Sequence, residues 1–521
     1  MKKHLFFIAL IAIFSSCESL FPTITSSITG TIKNSTTFEP VAQCLVTMQP
    51  GDYSAYTDAN GMFKFSKLAK GSYKLEFTKQ GYYDSYLNIE LEAGKNEQYT
   101  ITIDALPAGS EEGSNNNFEN EDNTDSNFAG GTGSSMEPYQ IKTPKQLVNM
   151  KNYPDAYFEL MNDIDMNGYD WIPFALNKGF NGNNYTISNI TVSPYVTKDN
   201  VGMFTELGVN GFVKNLTLEN ISIKHPKLNC VGAIAGYSDG GATITNCHIK
   251  LTKELLIQGN DIVGGIIGSA TGGMTITNCS VTGIASAVTI SGKSNVGGLA
   301  GYYYGSKGGE FSNNHVSANI AAVSAGGGIV GWVRSGSGGS TTCSKLSYKG
   351  TLTAHAGTNK EYGFGGIFGD ATYVNLLESK ADVIINIESE KKYVGGLIGF
   401  GSSDKIIACY SRGEFKGSIT TNSYDDKHMN CFVGYRYNTI QDCYSLMNYP
   451  LQGTGSTYTN NYGIYDLVSE YHSPINIAEL MRASNAENAS YWNYNQTWTW
   501  NGNANGKTVS AICPTLDWEN K

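Results

Sequence analysis

Ten cysteines, seven histidines and a scatter of carboxylates are the groups in this 521-residue chain best suited to chemistry. Five cysteines recur at similar places in a repeat: Cys247, Cys279, Cys343, Cys409 and Cys443. Thiols in such numbers could form disulfides or, with histidine, hold a metal. The pattern argues against both. The five share one recurring column with Leu216, Asn314 and Leu377, the behaviour of an inward apolar row in which free cysteine packs as a small hydrophobe. Parallel side chains in register point the same way, so Cys247 and Cys279 would hold their Cβ atoms too far apart for a disulfide. The column brings no histidine with it, so no metal or cofactor site is expected. Cys44 alternates with Ala42 and Val46 and also reads as core.

His248 and His315 each follow the column by one residue and should point outward on one face. Two repeats separate them, about 10 Å, too far to share a zinc ion. Asp370, Asp382, Asp404 and Asp442 do not fall in one repeat column, so the carboxylate pair of a glycosidase is not identified. Asp58 and Asn60 lack the further oxygen ligands and closing Glu of a calcium loop and read as a plain turn. No catalytic residue is assigned. One aromatic patch stands out. The position after the last glycine of a recurring motif is Tyr237, Ser269, Tyr302, Trp332, Asp370, Phe400 and Tyr435. Tyr302, Tyr303 and Tyr304 adjoin Trp332 in the next repeat, and these four are the candidate ligand-binding residues. Stacked aromatics on a ridge could contact glycans or a protein; a structural aromatic ladder inside the corners is the alternative.

The elements that must carry these residues follow from the motif. Val263-Gly264-Gly265-Ile266-Ile267-Gly268 recurs as Val296–Gly301 and Val394–Gly399, with variants at 326–331 and 364–369 and weaker ones at 231–236 and 201–204. The leading glycines are 30, 32, 33, 30, 38 and 30 residues apart. A fixed period of this size means a solenoid. Three short strands and three corners fit about 30 residues, one turn of a parallel β-helix. About eight such coils would make a rod on the order of 40 Å long. Glycine suits a corner that needs unusual φ and close backbone approach. A propeller blade takes about 40 to 45 residues, too many for this period, and the spacing of a leucine-rich repeat is missing.

Around residues 201–450 lie an expected N-terminal cap at 136–200 and a C-terminal cap at 451–521. The first opens with a helix whose N-cap is Thr143, followed by Pro144 and by Gln146, three residues after the cap, and ending near Asn152. The second should hold a short helix at 473–481. Trp492, Trp498, Trp500 and Trp518 fall there, to shield the last coil or to form a sugar platform. Residues 26–104 read as short strands about an Asp58-Ala59-Asn60-Gly61 turn, with Tyr73, Leu75 and Phe77 alternating onto one face. Residues 105–135 are polar and acidic and read as a flexible linker.

Charged residues are only 16% and glycines number 60, a profile that suits a β-rich extracellular protein. The net charge of −10 argues against nucleic acid, which needs a clustered basic surface. Lys2 and Lys3 precede an apolar run from Leu5 to Phe14 that is too short to span a bilayer and ends at Ser15-Ser16-Cys17.

Three resemblances add to this. Residues 1–17 resemble a bacterial lipoprotein signal with a relaxed lipobox, which implies cleavage before Cys17, its lipidation, and a membrane anchor. An ordinary secretory signal is the alternative. Gly30, Pro40-Val41-Ala42, Asn60-Gly61, Phe63, Gly71, Tyr73 and Gly81-Tyr82 resemble the carboxypeptidase-regulatory-like domain, which implies a small prealbumin-like β-sandwich without catalysis. The Val-Gly-Gly-Leu/Ile-x-Gly and Asn-Cys pattern, over about 131 to 450, resembles the GLUG-motif repeats of bacterial surface proteins. It implies a right-handed parallel β-helix, and no particular reaction. Such repeats occur beside immunoglobulin-A metalloproteases, but this chain has no His-Glu-x-x-His helix. The expectation is an all-β outer-membrane lipoprotein exposed at the cell surface, an adhesion or binding scaffold for a host or environmental glycan or protein. A polysaccharide lyase or hydrolase, and a structural part of a surface appendage, are the alternatives.

Overall fold

A computed structural model describes residues 26–105 and 127–520, apart from 51–52, 80–81, 83–84, 194–195, 197, 253–255, 284–288, 307, 337–338, 358–361, 389–392, 403, 418–427, 436–437, 449–456, 468–473, 485–490 and 505–506. Cys17, the signal segment, most of the linker, Gly81 and Ser473 lie outside the described residues. The chain divides into two units, residues 1–121 and 122–521.

The first unit is a β-sandwich. Its strands are β1 (Ser26–Asn34), β2 (Leu45–Gln49), β3 (Tyr53–Tyr56), β4 (Met62–Leu68), β5 (Gly71–Thr78), β6 (Ser85–Leu91) and β7 (Asn96–Ile103). One sheet runs β4-β1-β7 and the other β3-β2-β5-β6. Strict alternation builds the core: Ile28 and Ile32 of β1 and Tyr73, Leu75 and Phe77 of β5 all point inward, as does Cys44. Asp58 accepts the N–H groups of Asn60 and Met62 at 2.9 and 2.8 Å, and only Gly61 takes a positive φ. The carboxylate is therefore spent on the turn.

The second unit is a parallel β-solenoid. The coil around Gly264 shows how it is built: Ile262–Gly264, Ile267–Thr271, Thr275–Thr277, Ser280–Gly283 and Thr289–Ser291 are five short strands rather than three. Each pairs in parallel with its counterpart one coil away. An eight-stranded sheet runs from Asn200–Val201 to His428–Asn430, so there are eight coils. A nine-stranded sheet joins the second strands, and the other outer strands share one sheet of 25. One apolar core fills the inside from Phe128 to Met447. Thr143 caps the helix Pro144–Asn149, a 3-10 turn continues it to Asn152, and Leu147 and Met150 are fully buried in the same core.

The motif is the corner between the eight- and nine-stranded sheets. Its glycines have ordinary φ, contrary to the expectation of unusual dihedrals. They are needed for contact: a Cβ on Gly265 would lie 2.1 Å from Gly298 O, and one on Gly268 2.6 Å from Gly236 O and Val231 N. The left-handed residues sit at another corner, just before the cysteine column: Asn215, Asn246, Asn278, Asn313, Lys345, Glu378, Ala408, Asp442 and Asn460, all with φ between 47° and 56°. Asn tolerates this region best, which explains its frequency there.

That corner corrects two members of the column. The register places Cys343 opposite Phe311 and Leu376, in the neighbouring inward row, and Leu377 opposite Ser344. The residues that follow the left-handed position are Leu346 and Ser379. The coil of Gly327 carries a longer loop between Ser335 and Thr341, so counting from the glycine slips by three residues. The column is thus Leu216, Cys247, Cys279, Asn314, Leu346, Ser379, Cys409 and Cys443, ending on Asn461. It is buried, and its cysteines are free. It is also polar rather than a merely apolar row. Asn314 Oδ1 accepts Cys279 N–H at 2.9 Å, Ser379 Oγ accepts Leu346 N–H at 3.1 Å, and Cys443 Sγ accepts Cys409 N–H at 3.3 Å. Each of these side chains also donates to a backbone carbonyl, as Asn314 Nδ2 does to the buried Ile276 O at 2.8 Å. The left-handed residue breaks the backbone ladder, and the next side chain restores its hydrogen bonds.

The C-terminal segment packs along the side of the last coils. Ile475–Asn476, Lys507–Leu516 and Trp492–Ala504 form a three-stranded sheet, and Ile477–Ser484 is helical. Its apolar face buries Tyr410 and Tyr444, stacked at 4.9 Å on successive coils. Trp492 Nε1 donates to Asp442 O and Trp518 Nε1 to Glu378 O. The tryptophans therefore serve packing, and the side of the coils is what they cover.

Candidate ligand surfaces of the solenoid

The aromatic patch lies at the mouth of the glycine corner. Tyr302, Tyr303 and Tyr304 occupy one strand, Ala300–Gly305, and pair with Trp332, Val333 and Arg334 of the next coil. Strand alternation divides the three tyrosines. Tyr302 and Tyr304 face outward, half-buried. Tyr303 points into the core, fully buried, and donates its hydroxyl to Gly272 O at 3.0 Å and Gly308 O at 2.7 Å. Burial pushes its phenol up to about 12. Tyr303 therefore drops out of the candidate set, because a strand residue between two outward neighbours must face inward.

Tyr302 meets Trp332 edge to face, with centroids 5.2 Å apart at 81°. Trp332 also packs on Tyr362, 6.1 Å away at 44°. The column continues through Asp370, Phe400 and Tyr435. Phe400 and Tyr435 cluster with Tyr393, which stacks on Tyr435 at 4.8 Å. The second cluster includes the stacked pair Tyr393 and Tyr435, while the rings around Trp332 meet at 81° and 44° and all three residues are half-buried. Tyr362 was missed in the sequence; it stands just before the motif of its own coil.

Between the clusters, Asp370 is 5% exposed and accepts the Gly363 N–H at 2.7 Å. Burial raises its carboxyl to about 7, against the pull of that hydrogen bond. Asp404 is also buried and accepts Val374 and Ser402 N–H, each at 2.9 Å; burial raises it to about 8. Both bind their own backbone. Asp382 pairs with Arg412 at 2.5 Å, and Asp442 lies under the C-terminal sheet. The four are not brought together. No group of three His, Cys, Asp or Glu among the described residues could hold a metal ion.

His248 and His315 stand in one outward row, with Ser280 between them, as expected. His248 Nδ1 lies 2.9 Å from Ser280 Oγ and Nε2 3.2 Å from Asn246 Oδ1.

Residues 27–104 match the family model of the carboxypeptidase regulatory-like domain. For the regulatory-like domain this agrees with the two sheets of the first unit. The chain is also 31% identical over 218 residues to halomucin of Haloquadratum walsbyi, covering 37% of this chain and 2% of that protein. It is 34% identical over 131 residues to the immunoglobulin A1 protease of Streptococcus sanguinis, covering 24% of this chain and 7% of that protein. The chain thus spans only a small part of the length of these relatives. A crystal structure of a Bacteroides ovatus protein, provisionally named an immunoglobulin A1 protease, aligns with 75% of this chain and 96% of its own, at 21% identity and a TM-score of 0.37. No helix among the described residues is long and apolar enough to cross a membrane, which leaves strand-built crossings unaddressed.

Proposed function

We propose that the chain is a surface-attached, non-catalytic binding scaffold, in which a solenoid of GLUG-type repeats presents ligand surfaces. The observation that carries this is the angled ring group of Tyr302, Trp332 and Tyr362 at the mouth of a glycine corner, on a rigid parallel stack. Angled aromatic faces bind sugar rings or apolar side chains of a protein. The lipobox-like Ser15-Ser16-Cys17 supports an N-terminal lipid anchor in the outer membrane. Glycan-array binding by the full chain, with Trp332→Ala as control, tests the scaffold. Turnover of a bound polysaccharide would refute it. Release of the chain by protease from intact cells tests its outward display.

A further inference from the structure

Over four successive coils, two outward rows of the solenoid carry no Phe, Tyr or Trp and no carboxylate. The first row is His248, Ser280, His315 and Ser347, one residue per coil in parallel register. Two residues on, the second row is Lys250, Thr282, Ser317 and Lys349. Between the rows, Ile249, Val281, Val316 and Tyr348 point into the core, so both rows lie on the outer side, although Ser347 at the end of the first is itself only 7% exposed. Three steps between coils make the patch about 14 Å tall. All eight side chains can donate a hydrogen bond, and two are lysines exposed to solvent. Neither lysine has an ion-pair partner among the described residues; Glu219 borders Lys250 one coil below. On the far side both rows stop at the C-terminal segment: Lys380 pairs with Glu519 at 2.5 Å under Trp518, and Asp382 is taken by Arg412.

Within the two rows the only full charges are those of the two lysines, although the chain carries −10 overall. Desolvation and then Lys250 lower the His248 imidazole, and desolvation, Lys380 and Lys349 lower that of His315. A rigid row of donors repeating at the coil rise, with a lysine at each end about 14 Å apart, fits an extended polymer that carries acceptor groups at a similar repeat and anions at a wider one.

We infer that this face binds an anionic polysaccharide, a uronate or sulfated chain laid along the stack, at a site separate from the Trp332 corner. Lysines 250 and 349 meet the anionic groups, and the serine, threonine and imidazole groups meet the hydroxyls. The inference rests on the reading of the solenoid as a binding scaffold. Affinity electrophoresis of the full chain through gels containing polygalacturonate or dextran sulfate tests it, with neutral dextran and polyglutamate as controls. The expected result is retardation by at least one of the two anionic polysaccharides, weaker with polyglutamate, absent with dextran, and reduced about tenfold in affinity by K250Q/K349Q. S280A/S317A, which keeps both lysines, should also weaken it. Equal retardation by polyglutamate would overturn the inference in favour of an acidic protein ligand. Binding lost in W332A but kept in K250Q/K349Q would overturn it while sparing the scaffold reading. Absence of binding to both anionic polysaccharides at low salt would overturn it outright.

Discussion

Cys279 donates its backbone N–H to Asn314 Oδ1 at 2.9 Å, so a side chain of one coil completes the backbone of its neighbour. The same Asn314 gives its amide to Ile276 O, and it is only 1% exposed. Replacing Asn314 with Leu should leave both backbone groups unpaired inside the core. A loss of about 1–3 kcal/mol is expected for each such group. Amide hydrogen exchange at Cys279 should quicken more than exchange at Val281, two residues further on, which local probing would resolve even if unfolding of the stack is not two-state.

The glycine corner makes a sharper forecast. Gly265→Ala sets a methyl 2.1 Å from Gly298 O, so two coils must part. Gly273→Ala meets nothing nearer than Gly308 O at 3.5 Å. The first variant should lower the thermal midpoint strongly or fail to accumulate, and the second should leave it within about 1 kcal/mol of the parent. Circular dichroism melts of the two would check the contrast.

Stability should also fall as pH rises toward alkaline values. Asp404 is raised by burial from 3.8 to about 8, against two backbone hydrogen bonds. The folded state then holds a proton the unfolded state has released, so the stability this group contributes is lost as pH climbs through the window from about 4 to 8. Within that window one pH unit is worth up to about 1.4 kcal/mol for a full proton. Asp404→Asn should flatten the slope of melting temperature against pH between 5 and 8. His225 acts on the acid side. It is 6% exposed, its Nε2 has no partner among the described residues, and burial lowers its pKa. Its contribution is present above about 6.5 and declines as pH falls below that.

Tyr303 and Trp332 separate packing from binding. Tyr303→Phe removes a hydroxyl that serves two buried carbonyls and should cost about 1–3 kcal/mol of stability. Glycan or protein binding at the corner should be unchanged. Trp332→Ala should do the reverse: a small change in melting and a loss of ligand retention in the array.

How far the chain could be read beforehand depended on which signal each part obeys. The glycine motif announces the stack because it answers a local demand, backbone meeting backbone, that only one residue type satisfies. Strand alternation places Cys44, Leu75 and Phe77 inside correctly. It also would have turned Tyr303 inward, had it been applied to the three tyrosines one by one. The column was legible where Asn precedes it or where a cysteine marks it, as Cys409 and Cys443 do after Ala408 and Asp442, and illegible at Leu346 and Ser379, where Lys345 and Glu378 hold the left-handed φ although neither prefers that conformation. The hydrogen-bonding role of the column was hidden because cysteine, serine, asparagine and leucine share no obvious class until their neighbours across the coils are known. Tyr362 went unnoticed because ring contacts between coils follow the fold's rise rather than chain order.

The parallel register finally bears on how such a protein can grow or shrink. Removal of one whole turn brings together strands that already share partners of the same kind, so Ser280 would close onto Ser347 as it does onto His315. A change of a few residues cannot be shared out in that way and has to be taken up between two strands, as in the five residues between Ser335 and Thr341 against the three between their partners Gly305 and Gly309. The length of the stack can therefore be adjusted in steps of one turn, with every remaining row intact.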